Sequence, residues 1–247
     1  MTETAALAGL IRAQQPCVAL TGAGISTESG IPDFRSASGI WARFDPMEVA
    51  TIDAFRRRPE AVWEFYAARL DVLEDARPNS GHLALAELER RGLLGAVVTQ
   101  NVDTLHTQAG SREVVEVHGS IRRAVCPACG REESSAAFLP LLHDGEVPRC
   151  PSCGAVLKPG VVMFGELLPE GDLARAERLA EDAALVLVVG STLEVWPVAG
   201  LAERARRLAI VNRGPTALDH RADLRIDGAA GEVLSAVVAA LDGGSGA

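Results

Sequence analysis

Apolar residues gather in four short, nearly continuous runs instead of long alternating tracts. These are Cys17-Val18-Ala19-Leu20, Ala96-Val97-Val98-Thr99, residues 184–189 and 208–211. Such runs, each closed by glycine or polar side chains, predict strands covered on both faces. Leu7, Leu10 and Ile11 recur at helical spacing within 3–13, and 84–90, 173–180 and 198–207 also read as helices. Strands alternating with helices predict a doubly wound, Rossmann-like α/β parallel sheet. Ligands of such sheets bind beyond the carboxyl ends of the strands, where Gly22, Gln100, Gly190 and Asn212 fall.

Two stretches interrupt this pattern. Residues 32–77 read as a partly helical insertion, and 121–158 holds four of the cysteines. We expect one domain over 1–247: a nucleotide-binding core (about 1–31, 78–120 and 159–242), the helical insertion, a small metal module, and a cleft between them. Composition agrees with a folded chain, at 48% hydrophobic and 23% charged residues. The formal net charge of −9 disfavours a phosphate-backbone partner, so no nucleic-acid binding is expected. No apolar run reaches the ~18 residues of a membrane span, and 1–15 lacks the basic and apolar regions of a secretory leader. A cytoplasmic, monomeric protein is the expectation.

Cys126-Pro-Ala-Cys129 and Cys150-Pro-Ser-Cys153 are two CxxC knuckles, each followed by glycine. Their spacing suits one tetrahedral Zn2+ held by four thiolates, a structural site with no open position. Redox dithiols are the weaker alternative, and Cys17 reads as a small buried hydrophobe.

Thr21-Gly22-Ala23-Gly24-Ile25-Ser26 follows a strand, and its backbone N–H groups could face a pyrophosphate. The dinucleotide fingerprint wants a third glycine where Thr27 stands, so an ordinary dehydrogenase is disfavoured. A plain strand-to-helix turn remains open on this loop alone.

More of the chain narrows the choice. Gly22-Ala-Gly-Ile-Ser26, Gly30-Ile-Pro-Asp-Phe-Arg35, Thr99-Gln-Asn-Val-Asp103, His118-Gly119, the two CxxC pairs, Phe164-Gly-Glu166, Gly190-Ser-Thr192 and Val211-Asn212 occur in that order. Together they resemble the sirtuins, NAD-dependent protein lysine deacylases, over nearly the whole chain. The resemblance implies that residues 22–41 wrap the NAD pyrophosphate and ribose, through Gly22, Ala23, Gly24, Ile25, Ser26, Asp33, Phe34, Arg35 and Trp41. It implies that Gln100, Asn101, Val102 and Asp103 line the inner pocket, with Asp103 on the nicotinamide carboxamide and Asn101 on the ribose or a water. Gly190, Ser191, Thr192, Asn212, Arg213, Gly214 and Ala230 would meet the adenosine side. His118 would be the general base on the ribose hydroxyls, once the acyl-lysine oxygen has displaced nicotinamide; free lysine and acyl-ADP-ribose are the expected products. His106 reads as structural, and His82, His143 and His220 receive no role.

Trp63-Glu-Phe-Tyr66-Ala-Ala-Arg69 places Tyr66 and Arg69 on one helical face. Their spacing resembles the Tyr-x-x-Arg signature of the sirtuin class that removes acidic acyl groups, with Arg69 on a distal carboxylate and Tyr66 as donor. Pro32-Asp33 resembles plain deacetylases, so deacetylation is expected alongside. The resemblance also implies that acyl-lysine peptides or proteins bind as an added strand between Val162, Phe164, Gly165 and Glu166 on one side and Leu193, Glu194 and Val195 on the other. The two acids could favour basic flanks or be mere surface charges. Two rivals stay open: an ADP-ribosyltransferase, told apart by protein-attached ADP-ribose, and a zinc-ribbon NAD-sensing interaction module.

Overall fold

A computed structural model gives the structure, which describes residues 2–34, 36 and 39–243. The strands are β1 (Cys17–Thr21), β2 (Ala96–Thr99), β3 (Val114–Glu116), β4 (Gly119–Val125), β5 (Glu132–Ser134), β6 (Lys158–Val161), β7 (Leu185–Val189), β8 (Leu208–Val211) and β9 (Leu224–Ile226). The helices are α1 (Glu3–Ala13), α2 (Pro46–Val49), α3 (Ile52–Arg57), α4 (Pro59–Asp75), α5 (Ser80–Arg90), α6 (Leu105–Gln108), α7 (Leu139–His143), α8 (Glu170–Asp182), α9 (Ala199–Glu203) and α10 (Ala230–Gly243).

Six strands form a parallel sheet in the order β3-β2-β1-β7-β8-β9. The doubly wound fold is therefore as expected. Its strands read as unbroken apolar runs because each face has its own helical layer. Cys17 and Ala19 of β1, with Leu185, Leu187 and Val189 of β7, point into one core that includes residues of α1, α5 and α10. Val18, Leu20, Val186 and Val188 point into the other, with residues of α8 and α9. The order reverses direction between β1 and β7, which opens a crevice at their carboxyl ends.

The helices depart from their expected limits for local reasons. α5 begins at Ser80 because the Asn79 side chain accepts from the backbone N–H groups of Gly81 and His82. The stretch 198–207 is helical only to Glu203, since pairing with β7 already begins at Arg207, whose carbonyl accepts from Val186 at 3.0 Å. α10 was not anticipated, although Val233, Leu234, Val237 and Leu241 bury one of its faces.

The two insertions share one core. Val62, Trp63, Leu70 and Leu73 of α4 pack with Ile121 and Ala124 of β4, Leu142 of α7 and Leu157. β5-β4-β6 forms a small antiparallel sheet in this lobe. The Trp63 indole N–H donates to the Leu157 carbonyl at 2.7 Å, both residues being buried. Trp63→Phe keeps the apolar bulk but leaves that carbonyl without its donor. We expect it to lower the lobe's stability by about 1–3 kcal/mol, read as a lower urea midpoint.

Candidate active site

One crevice of about 1710 Å³ lies between the sheet's carboxyl edge and the small lobe. Its floor is a meeting of two loops. The Gly24 N–H donates to the Gly190 carbonyl at 2.8 Å, and the Gly22 N–H to that of Val189 at 3.1 Å. A Cβ on Gly24 would stand 2.8 Å from the Gly190 Cα, and Gly190 itself has φ +62°. Glycine is thus required for loop-on-loop packing. The segment after Gly22 is a 3-10 helix, Ala23–Ser29, so the missing third glycine costs nothing.

Most of the expected cofactor residues line this crevice: Gly22, Ala23, Gly24, Asp33, Phe34, Trp41, Gln100, Asn101, Val102, Gly190, Ser191, Thr192, Asn212, Arg213 and Ala230. Four do not. Ile25 is fully buried in the core beneath the sheet. Ser26 and Asp103 lie one layer behind the wall, and Gly214 turns its N–H toward Asp227 at 3.3 Å. Asp103 is engaged by internal bonds: Ser26 Oγ donates to Oδ2 at 2.7 Å and the Leu105 N–H to Oδ1 at 2.9 Å. Asn101 Nδ2 in turn donates to Ser26 Oγ and the Gly22 carbonyl, both at 3.1 Å. Arg35 lies outside the described residues.

Sequence reasoning missed His82 as part of this network. Its ring packs 4.9 Å from that of His106, with Nε2 3.5 Å from Ser26 Oγ. Burial depresses the pKa of His82 to about 4 and that of His106 to about 3; Asp103 and Glu28 partly oppose the first shift, and His82 adds to the second. Both imidazoles are neutral near pH 7. In the unfolded chain they take up protons below about pH 6.5. Their contribution to stability is therefore present above that pH and lost as the pH falls toward 4. Urea titrations at pH 7 and 4.5 should show a smaller acid loss in His106→Gln than in the parent.

His118 sits where the chain leaves the main sheet for the small one. The Val117 N–H donates to Thr99 and the Val162 N–H to the His118 carbonyl, at 3.1 and 2.9 Å. Its Nδ1 lies 3.0 Å from the Gln100 carbonyl. A carbonyl only accepts, so Nδ1 carries the hydrogen and Nε2 keeps its lone pair. Burial lowers the His118 pKa from its ordinary value, and the Gln100 contact works against that. The ring lines the crevice.

Tyr66 and Arg69 project from α4 into the same crevice. The Arg69 guanidinium lies over the rings of Phe34 and Phe65, at 5.0 and 5.5 Å. Among the described residues it makes no hydrogen bond or ion pair. Burial pushes the Tyr66 hydroxyl up to about 12 despite Arg69, so it remains a donor. Burial also lowers the Arg69 pKa from its usual value, against the opposing pull of Tyr66 and Asp103. Phe65 is a wall residue that the sequence did not single out.

Val162, Phe164, Gly165 and Glu166 line one rim, and Glu194 and Val195 the other. Leu193 does not line it: at φ +59° its side chain turns inward and is 3% exposed. Glu166 is not a loose surface acid, because its carboxylate is bonded to Lys158 at 2.9 Å and to the Met163 N–H at 2.8 Å.

The four knuckle cysteines bring their Sγ atoms within 4.8 Å of one another, at 3.5–3.7 Å for the closest pairs. Tetrahedral zinc with Zn–S near 2.3 Å requires S···S of about 3.8 Å, and a disulfide about 2.05 Å. Each knuckle is built alike: Gly130 and Gly154 donate to the Cys126 and Cys150 carbonyls at 2.9 Å, with φ of +74° and +76°. The site fits a structural Zn2+ and not a dithiol pair. Cys150→Ser should lower bound zinc, measured by metal analysis, and loosen the small lobe to proteolysis while leaving the main sheet folded.

Comparison with known proteins agrees with this geometry. The Sir2 family model matches residues 22–197. A Pyrococcus furiosus NAD-dependent protein deacylase is 46% identical over 90% of this chain and 91% of its own. A Sir2 homolog–NAD complex superposes with TM-score 0.88 at 42% identity, over 96% of this chain and 93% of that one. A Sir2–p53 peptide–NAD+ structure matches with TM-score 0.88 at 37% identity, over 99% of each chain.

Proposed function

The chain belongs to the Sir2 family and is an NAD-dependent protein deacylase, and from that premise we propose how its crevice works and which acyl group it takes. The glycine floor and the polar groups of Ser191, Thr192 and Asn212 hold the pyrophosphate and adenosine half, with Arg213 and Ala230 beside them. Asn101 faces the reacting ribose, and Ser26 and Asp103 fix it from behind. Phe34 and Trp41, whose ring centroids are 5.2 Å apart, keep water off the nicotinamide side.

Bound NAD supplies an electrophilic ribose carbon and a nicotinamide leaving group. The acyl-lysine carbonyl oxygen attacks from the opposite face as nicotinamide leaves. His118 Nε2 removes the ribose hydroxyl proton so that the ribose oxygen adds to the acyl carbon, and water then completes release of free lysine and acyl-ADP-ribose. The Gln100 carbonyl holds the imidazole in the tautomer this requires. His118→Ala should abolish turnover without loss of fold or zinc. Because burial disfavours the imidazolium, the acid limb of kcat/KM should fall below the ordinary imidazole value of about 6.5, in a pH–rate profile.

The peptide backbone lies between 162–166 and 192–195 as an added strand. A preference for acidic acyl groups is supported by one observation, the Arg69 guanidinium lying over two aromatic rings with no hydrogen-bonded or ion-paired carboxylate among the described residues. A partly buried cation lacking a carboxylate partner is costly, and a succinyl, malonyl or glutaryl terminus provides one. Tyr66 donates to the same group. Acetyl-lysine needs neither, so both activities reside in one site. Mass spectrometry of acetylated and succinylated versions of one peptide, with and without NAD, tests this. Arg69→Met should cut kcat/KM for the succinyl peptide by about a hundredfold or more and that for the acetyl peptide far less. Equal losses, or no desuccinylation by the parent, would refute the acidic pocket.

A further inference from the structure

Of the 24 basic residues, Lys158 is the only lysine. It begins β6, and its side chain is 12% exposed. Its Nζ reaches three acceptors: the carbonyls of Pro159 and Val161 at 3.1 and 2.6 Å, and Glu166 Oε2 at 2.9 Å. An ammonium has three N–H groups, so each has an acceptor. The same Oε2 accepts from the Met163 N–H at 2.8 Å, and the Glu166 N–H donates to the Met163 carbonyl at 3.0 Å. Residues 161–166 are thereby folded back on the end of β6.

This segment forms one rim of the crevice and is held from two other sides. Val162 is tied to the His118 carbonyl, and Phe164 exchanges backbone bonds with Ala50 and Ile52 at 2.9 and 3.0 Å. Val161 and Met163 anchor it in the small lobe's core, whereas Phe164 is 48% exposed, so the carboxyl half of the rim depends on its polar ties. A largely buried ion pair adds little net stability, and its best-attested use is to specify one arrangement over others. Without the pair, the Met163 N–H and the Val161 carbonyl lose partners and the rim can change its pitch.

We propose that Lys158 is a positioning residue for the acyl-peptide. Through Glu166 it fixes the rim 162–166 at the spacing at which a substrate backbone pairs. This rests on the reading of that segment as the peptide-pairing edge. It also leaves the enzyme without an exposed side-chain amine able to carry the modification it removes.

Steady-state kinetics of Lys158→Met, Lys158→Arg and Glu166→Gln test the proposal, with acyl-peptide and NAD varied separately and zinc measured throughout. Lys158→Met and Glu166→Gln should raise the peptide KM by about tenfold, with the NAD KM and zinc content unchanged. Lys158→Arg, which keeps charge and donors, should restore most of the loss. An unchanged peptide KM in both disrupting variants, or equal rises in both KM values, would overturn the proposal. Gly165→Val separates the two levels, since Gly165 has φ +89° and a Cβ there would press on Ile52 at 3.2 Å. If it raises the peptide KM while the Lys158 and Glu166 variants do not, the clasp is wrong and the pairing edge stands. If none of them raises it, the pairing edge is wrong as well. Brief treatment with succinic anhydride and peptide mapping should spare Lys158 in the native enzyme and label it in the urea-unfolded enzyme. Equal labelling in the two states would show the clasp to be open and would count against it.

Discussion

The close contact between the loops that leave β1 and β7 governs the rest of the molecule. These strands are parallel neighbours at the point where the sheet order reverses, so their carboxyl ends diverge and leave a crevice. Gly24 touches Gly190 with no space for a side chain between them. That contact sets the height of the crevice floor. It brings Gln100 against Ser191 at 3.0 Å and places Asn101 over the Gly22 carbonyl. A larger residue at any of these glycines would move the floor and every group that hangs from it.

The walls come from the two insertions, which are distant in sequence and form one lobe. The helical insertion contributes the aromatic and cationic wall of Phe65, Tyr66 and Arg69, and the cysteine module contributes the sheet from which the 162–166 rim emerges. None of the four knuckle cysteines lines the crevice, which suits a structural role for the metal they would hold. Four thiolates on one zinc would close the knuckles that flank β4, β5 and β6. His118 stands at the seam between the lobe and the main sheet, bonded to Gln100 on one side and to Val162 on the other. His118 and the 162–166 rim, which come from two distant stretches of chain, are therefore tied together by one backbone hydrogen bond.

Much of the site was legible in the chain. The cysteine spacing gives the metal because two knuckles admit few other uses. The four strands read out because both faces are buried, which leaves unbroken apolar runs. The ordered short motifs give the family, and with it NAD and the deacylase activity. Other features were not legible. β3 and β9 have three residues each, too few for a period to show. α10 hides in a stretch rich in alanine and valine. His82 and His106 look like isolated histidines until the fold stacks them behind Ser26.

The sequence by itself determined which residue types were available: four thiolates at knuckle spacing, glycines at strand ends, a histidine before a glycine, and a tyrosine and arginine three apart. Local spacing suffices for these because they act within a turn or along one helix face. Only the tertiary structure decided what each side chain faces. It set Asp103 behind the wall on Ser26, turned Leu193 into the core, and left Arg69 among aromatic rings. It also engaged Glu166 with the single lysine. Each of these outcomes depends on groups brought together from distant segments, and the apolar and polar pattern along one segment carries no information about the partner supplied by another.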